Sequence, residues 1–472
     1  CGNTVILKGS ENCPRTHQLI VEAFADAGFP PGVVNYITNA PADAAAVVQA
    51  MVAHPAVRRV NFTGSTKVGR LIALTCAKYL KDAKREFVII ESSDKVGGRV
   101  RTDLVDGFQL DRGFQVFLTS YPEALKVLDY DKLQFQKLPS GARIRRGKDY
   151  FVLPNPLKDL FTAPQAAFSP IGNLFDKVNV LRLNFATSNA AEPNRTANGD
   201  IALSTLSFLE KYGYSDKFVK SFFKPFFGGV FLDKELTTRS DFFKFLYHHF
   251  AIGEVVIPSA GIQAIAEQIA GFFIPTELRL NSNVEKINGK TVQLTSGEEI
   301  NADKIVVATD AAGAARLLGE RLSTEFNGTS CIYFTSDKPL NFSGKPFLII
   351  NSNKSEMINH ILEVSAIAPS YSPQGKTLIS VNLIGNSYLD AEILVKKVLN
   401  ELTIWFGDEY EWRHLKTYRI PAALPRFDAK FKPLPAQVTE NIYRCGDYTA
   451  YPSLNAAMKS GREVAEMLCQ QT

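Results

Sequence analysis

At 472 residues the chain is longer than one typical hydrophobic core, so two or three domains are expected. Its 45% apolar and 21% charged residues are those of an ordinary globular protein, and a net charge of +5 without a lysine or arginine block gives a nucleic-acid role no support. Cys1, Cys13, Cys76, Cys331, Cys445 and Cys469 form no C-x-x-C pair, and the adjacent His248 and His249 point apart on a helix, so neither a disulfide scaffold nor a metal site is expected. No run reaches the roughly 18 apolar residues of a membrane span. The chain begins at Cys1, which leaves open whether the native N-terminus is present.

Thr4 to Leu7 reads as a strand, and Ser10 and Pro14 open a helix that Gly28 ends. Gly32 to Thr38 is a second strand, Ala42 to Ala53 a second helix and Val57 to Phe62 a third strand. This alternation with short links predicts a parallel, doubly wound α/β sheet. A turn follows from Gly64 to Gly69, and the spacing of Leu71, Leu74, Ala77 and Leu80 predicts a helix over 70–81. Phe87 to Ile90 is a continuous apolar run of the buried parallel type, ended by Glu91. A βαβ unit closing on a carboxylate suits a dinucleotide: pyrophosphate lies on the N–H groups of the helix start, and the acid accepts the ribose hydroxyls. The turn Gly64-Ser65-Thr66-Lys67-Val68-Gly69 departs from G-x-G-x-x-G in having Thr66 for the middle glycine. Its weight comes from Glu91, at the expected spacing, and from Gly97-Gly98 just beyond.

CGNTVILKGSENCP, FPPGVVNYITNAP and VRRVNFTGSTKVGR resemble consecutive pieces of the NAD-binding domain of aldehyde dehydrogenases, over about residues 1–80. The resemblance implies that Lys8 and Glu11 meet an adenosine ribose and that Gly64 and Ser65 meet a pyrophosphate. The family's general-base glutamate and nucleophilic cysteine lie in segments with no counterpart after residue 81, so aldehyde oxidation is not expected.

From about Leu74 onward, LTCAKYLKDAKREFVIIESSDKVGGRVRT and GFQLDRGFQVF resemble the flavin amine oxidase and phytoene desaturase superfamily. The resemblance implies FAD, with Glu91 on its ribose and Gly97, Gly98, Arg99 and Thr102 around its pyrophosphate. Independently of any family, two glycines permit close backbone approach and a guanidinium offers paired donors to a diphosphate. The superfamily's usual opening strand and G-x-G-x-x-G are replaced by the aldehyde dehydrogenase-like piece, with about one extra helical turn.

Residues 184–200 read as a polar excursion. Residues 201–250 are helical and rich in phenylalanine; these rings form a substrate-domain core, wall a pocket for an apolar substrate, or rest on a membrane surface. Gly228-Gly229 is a candidate bend. Pro258 and Gly261 match the superfamily's P-x-G-G turn, and short strands follow around Gly289 and Gly297 as a meander. Val284, by the resemblance, contacts adenine through its backbone; a core strand residue is the equal alternative. Strands and a helix over Asp390 to Phe406 suit a sheet-and-helix substrate domain, with Trp405 and Trp412 either core or active-site aromatics. Near the C-terminus, a strand ends in Gly446-Asp447 and a helix capped by Ser453 follows. The resemblance places Gly446 and Asp447 at the cofactor's phosphate–ribitol region and Leu454 and Asn455 at the flavin.

The fold expected is α/β: a Rossmann-like FAD-binding domain built from discontinuous segments (81–135, 251–310, 421–472), a mixed α+β substrate domain (136–250, 311–420), and an N-terminal parallel βαβ fragment (1–80). The function expected is an FAD-dependent oxidoreductase, of amine oxidase or desaturase type, passing a hydride from a C–N or C–C bond of an apolar small molecule to flavin. Rival readings are an inactive nucleotide-binding fusion, because Thr66 and the added helical turn crowd the pyrophosphate, and an NAD-dependent aldehyde dehydrogenase. No catalytic residue is named. A cytoplasmic location is expected, with membrane-surface contact and oligomeric state left open.

Overall fold

The computed structural model describes residues 5–8, 14–30, 33–38, 70–155, 158, 169–188, 190, 192–193, 203–321, 324–342, 344–353 and 356–470. The chain divides into two compact units, Cys1–Ser65 and Thr66–Thr472. In the first, strands β1 (Val5–Lys8) and β2 (Val34–Ile37) pair in parallel, and helix α1 (Pro14–Asp26) connects them. Proline begins this helix and Gly28, at φ +83°, follows its end, the asymmetry that the backbone preferences of the two residues dictate. The expected helix at 42–53, strand at 57–62 and turn at 64–69 lie outside the described residues, as do Gly64, Ser65 and Glu11.

The second unit opens with α2 (Arg70–Asp82). Leu71, Leu74 and Ala77 are buried as the spacing predicts, but Ile72 and Cys76 on the adjoining face are buried too. The reason lies at the other end of the chain: helix α9 (Leu454–Gln470) packs along that face, so α2 is covered on two sides. At the closest approach a β-carbon on Gly461 would stand 2.6 Å from the carbonyl oxygen of Ile72. Strand β3 (Ile89–Ile90) is shorter than the run Phe87 to Ile90 suggests; it pairs in parallel with β9 (Leu278–Arg279). Strand β13 (Ile305–Val307) pairs in parallel with β19 (Ile442–Arg444), so segments far apart in sequence rejoin here. The meander is present as β10 (Val284–Asn288), β11 (Thr291–Leu294) and β12 (Glu299–Asn301).

A seven-stranded sheet forms the other layer. Its order is β18 (Arg413–Pro425), β14 (Phe326–Ser336), β17 (Thr377–Ile384), β16 (His360–Glu363), β15 (Leu348–Asn351), β6 (Gly141–Arg146) and β7 (Asp149–Pro154). One face is apolar: Ile332, Phe334, Ile361, Ile379 and Val381 pack beneath α8 (Ala391–Phe406) through Leu394, Val398 and Leu402. Trp405 belongs to this core and donates its indole N–H to Glu356 at 2.9 Å, while Trp412 stacks on Tyr410. The opposite face carries Cys331, Tyr333, Leu362 and Leu378 against Phe108, Leu110 and Ile257.

The phenylalanine-rich segment folds as α5 (Thr205–Tyr212), a π-helical turn at Val219–Phe223, α6 (Lys224–Phe231) and α7 (Ser240–Ile252). Phe223, Phe227, Phe231, Phe242, Phe243 and Phe245 are buried. Some meet edge to face, as Phe227 and Phe243 do with centroids 4.7 Å apart at 67°, and others stack or tilt, as Phe223 and Phe227 do at 29°. These rings fill a core, so the inference of an apolar substrate loses that support. Gly228 and Gly229 make no bend, because α6 runs through them. Gly229 instead admits the neighbouring sheet: a β-carbon there would lie 2.7 Å from the side-chain nitrogen of Asn359.

Among the described residues no helix is long and apolar enough to cross a membrane, and no cluster of His, Cys, Asp or Glu could hold a metal. Cys76, Cys331, Cys445 and Cys469 are free thiols. Burial pushes Cys76 up to about 12 and Cys331 and Cys445 well above the usual thiol range. Since the thiolate is the reactive form, these three should resist a disulfide reagent in the native protein and react only on unfolding, counted by mass spectrometry of the labelled peptides.

Candidate cofactor-binding site

Glu91 follows β3 directly. Its backbone continues the parallel pairing, with the N–H donating to Arg279 O at 2.8 Å and the carbonyl accepting from Ser282 N–H at 2.8 Å. The side chain is buried and accepts the N–H of Ser93 at 2.6 Å, so the carboxylate also shapes the turn that leads to the glycines. Gly97 and Gly98 both have positive φ, +110° and +64°. A β-carbon on Gly97 would run into the carbonyl of Val100 and touch Ala266, so the turn admits only glycine there.

Arg99 comes next, and its guanidinium meets the far end of the chain. One terminal nitrogen pairs with Asp447 and the other donates to the carbonyl of Ala423. Asp447 is buried in a tight turn just after β19. Gly446 before it donates its N–H to Ser460 of α9 at 3.0 Å, which fixes the turn to the terminal helix. The Arg99–Asp447 pair thus brings the segment after β3 to the turn after β19, which Ser460 of α9 holds. Chemically Glu91, Gly97, Gly98, Arg99, Gly446 and Asp447 suit an extended dinucleotide: a carboxylate at a strand end for hydroxyls, a turn that only glycine fits, and a planar guanidinium.

Thr102, Asn455 and Val284 have protein partners as well. Thr102 opens β4 (Thr102–Val105), which forms a hairpin with β5 (Phe108–Asp111). Its hydroxyl donates to Asp111 at 2.6 Å and accepts the N–H of Gln263 at 3.2 Å. Gly261, at φ +88°, lies against this threonine with no room for a side chain. Asn455 is fully buried; its oxygen accepts the Glu123 N–H at 3.0 Å, and its nitrogen donates to Tyr451 at 3.0 Å and Glu192 at 3.1 Å. The amide therefore ties α9 to α3 (Pro122–Val127), and Leu454 packs beside it on the main core. Ser453 caps α9 as expected, accepting the Ala456 N–H at 3.0 Å. Val284 starts β10 opposite Leu294, and its carbonyl accepts from Arg316 at 3.2 Å.

Asp111 is the residue that reading the sequence passes over. One oxygen accepts from Thr102 and from the Ile262 N–H at 3.0 Å, the other from the Tyr371 hydroxyl at 3.0 Å. Burial outweighs these donors and pushes the carboxyl up to about 6. Alternation sets Phe108 and Leu110 on one face of β5 and Asp111 on the other, so the pattern marked it as outward and only tertiary packing buries it. The folded state then holds the extra proton between the ordinary carboxylate range, about 4, and about 6. Its contribution to stability is full below that window and is lost as pH rises through it. Asp111→Asn, which keeps a carbonyl oxygen to accept from neighbouring donors but has no titrating proton, should flatten this slope in thermal melts taken across the window.

The chain belongs to the flavin-containing amine oxidoreductases, whose family model it matches over residues 74–469. These are FAD-dependent oxidoreductases. A second match, to the aldehyde dehydrogenase family, covers residues 1–87. There the chain is 54% identical over 100 residues to a vanillin dehydrogenase of Pseudomonas sp. (strain HR199 / DSM 7063) and 40% identical over 100 residues to a salicylaldehyde dehydrogenase of Pseudomonas putida. It spans only 21% of the length of each, with 20% of its own. Among solved structures it is similar to an oxidoreductase from Methanosarcina mazei (TM-score 0.64, 17% identity, 84% of this chain and 98% of that one). A putrescine oxidase bound to putrescine is similar as well (TM-score 0.63, 16% identity, 85% and 98%). So is a reduced UDP-galactopyranose mutase (TM-score 0.63, 13% identity, 86% and 95%). An oxidase and a mutase on one fold mean that the fold leaves the reaction open.

Proposed function

We propose that the chain oxidises a small molecule by two electrons, taking hydride from the carbon of a C–N bond, or in the desaturase variant of a saturated C–C bond, which becomes double as a proton leaves its other atom, with FAD held by Glu91, Gly97, Gly98, Arg99, Gly446 and Asp447. The observation that carries this reading is the meeting of Arg99 and Asp447. Two residues singled out for the same cofactor, 348 positions apart, share one ion pair. Bound flavin supplies the acceptor for two electrons and a proton. The chain's own part is to bind and orient: Glu91 accepts ribose hydroxyls, Gly97 and Gly98 let the backbone approach a diphosphate, and Arg99 neutralises it. Asp447 holds the Arg99 fork in its plane and, through Gly446 and Ser460, keeps α9 in register with it.

Mixing the purified protein with candidate amines, and with polyenes that retain saturated C–C bonds, under anaerobic conditions tests this. A substrate should bleach the visible flavin band, and admitting oxygen or a quinone should restore it. A yellow protein that none of these compounds bleaches would overturn the proposed reaction while leaving the cofactor in place.

A further inference from the structure

Helix α4 (Leu174–Thr187) has its faces reversed. Its start is ordinary: the Asn173 side chain accepts the Asp176 N–H at 2.9 Å, and the Asp176 carboxylate accepts the Asn173 N–H at 2.7 Å. At 3.6 residues per turn the helix then divides into two sides. Asp176, Asn179, Leu183 and Thr187 lie on one side and are buried. Leu174, Phe175, Val178, Leu181 and Phe185 lie on the other, and Phe175 and Phe185 are 78% and 82% exposed. Large apolar side chains in water above buried polar ones invert the usual pattern, and a contiguous exposed set of this kind marks a contact surface.

Hydrogen bonds hold the helix in this orientation. Asp176 accepts the backbone N–H of Ser215 at 2.7 Å and the Ser215 hydroxyl at 2.6 Å, and Asn179 donates to the carbonyl of Gly213 at 3.1 Å. Tyr247 of α7 donates its hydroxyl to the carbonyl of Val180 at 3.4 Å. Rolling α4 to hide Leu174 and Phe185 would break all of these bonds together. The apolar stripe therefore stays outward on the folded chain.

The charges on the helix select the partner. Its single acid, Asp176, is turned inward and engaged. The line Leu174, Val178, Leu181 and Phe185 is flanked by Lys177 on one side and Arg182 on the other. Arg182 is exposed, its guanidinium 5.8 Å from the centre of the Tyr212 ring. In the adjoining segment, exposed Lys211, Lys217 and Lys220 outnumber exposed Glu210 and Asp216. Cations on long apolar stems beside an apolar stripe suit a helix lying in the plane of an anionic lipid surface. A second copy of the chain fits poorly, because a two-fold interface would gather the cations of both helices with no exposed acid on either to answer them. From Leu174 to Phe185 every exposed side chain except Arg182 is apolar, so the face lacks the donors and acceptors that would read one protein surface.

We infer that α4 docks the chain on a membrane surface: Leu174, Phe175, Val178, Leu181 and Phe185 enter the acyl boundary of an anionic lipid leaflet, with Lys177 and Arg182 at its headgroups. A single helix of 14 residues, about 21 Å long, makes the contact, so it is reversible and needs both the apolar and the electrostatic contribution. The inference stands apart from the flavin reading, since no residue of α4 belongs to the cofactor set.

Co-sedimentation of the full chain with lipid vesicles tests it. Vesicles of phosphatidylcholine with about one third phosphatidylglycerol should bind the chain about tenfold more tightly than phosphatidylcholine alone, and added salt should narrow the difference. Phe175→Ser combined with Phe185→Ser should weaken binding to the anionic vesicles by about tenfold to a hundredfold. Its Tm should stay that of the parent, because both rings are exposed. Arg182→Gln should weaken binding about fivefold, and on the anionic vesicles only. Phe185→Trp keeps the apolar face, and its emission, read above that of Trp405 and Trp412, should shift to the blue when the anionic vesicles are added. A parent that sediments with neither vesicle, binding that the double serine variant retains, or Phe185→Trp emission that the vesicles leave unchanged would each overturn the inference. So would a parent that is dimeric in sedimentation velocity and monomeric once both rings are replaced, since the stripe would then belong to a second copy.

Discussion

Asp447→Ala should weaken FAD retention by about tenfold to a hundredfold, the scale of one charge-assisted hydrogen bond lost from a buried site. The carboxylate is the partner of Arg99, whose other terminal nitrogen holds the Ala423 carbonyl. Without it the guanidinium keeps one anchor and loses its fixed plane. It also sits partly buried beside no counter-charge, which adds a folding cost; that cost is discounted because Arg99 retains some exposure to solvent. Equilibrium dialysis of FAD against parent and variant measures the first effect and thermal unfolding the second. Arg99→Lys should fall between them, since an ammonium keeps the charge but not the fork. If Asp447→Ala lowers Tm yet binds FAD as tightly as the parent, the aspartate serves the fold alone.

Gly461→Val is the second large effect. The α9 backbone approaches α2 so closely here that a β-carbon would be 2.6 Å from Ile72 O, a backbone atom that cannot turn aside. Alanine would gain helix propensity, about 1 kcal/mol, against that clash; valine adds branching that the groove cannot admit. The helices must separate, and a cost of about 2–3 kcal/mol is expected, the usual range for overpacking. Because α9 also carries Ser460, the partner of the Gly446 N–H, FAD retention should fall together with Tm. A variant as stable as the parent would mean that the two helices are not in contact as described.

Much of this was legible in the sequence, and the failures have physical causes. The helix over 70–81 was readable from Leu71, Leu74 and Ala77, but its second buried face was not, because that face exists only when α9 returns from the far end of the chain. Glu91, the glycine pair, Arg99 and the Gly446-Asp447 turn were readable as a motif set, and the Arg99–Asp447 pair joins them. Asn455 and Thr102 were readable as cofactor candidates, but the bonds of their polar atoms to Glu123, Tyr451, Glu192, Asp111 and Gln263 were not. Side-chain satisfaction depends on what tertiary structure brings near, and a motif carries no record of it. The phenylalanines from Phe208 to Phe250 could not be sorted between core and pocket by spacing, since rings that pack on rings and rings that face a ligand share one pattern. The second buried face of β17 was hidden for a different reason. Ser380 and Asn382 in a strand normally mean a wet face, and only the register with His360 and the edge-on contact of Phe114 with His360 show that this face is dry.

The central claim is that a chain with Thr66 in its glycine turn still holds FAD. The visible absorbance spectrum of the purified protein, with the released chromophore identified and counted, tests it most directly. The account predicts about one FAD per chain, retained through gel filtration. A folded, colourless protein that stays colourless after incubation with excess FAD would contradict it.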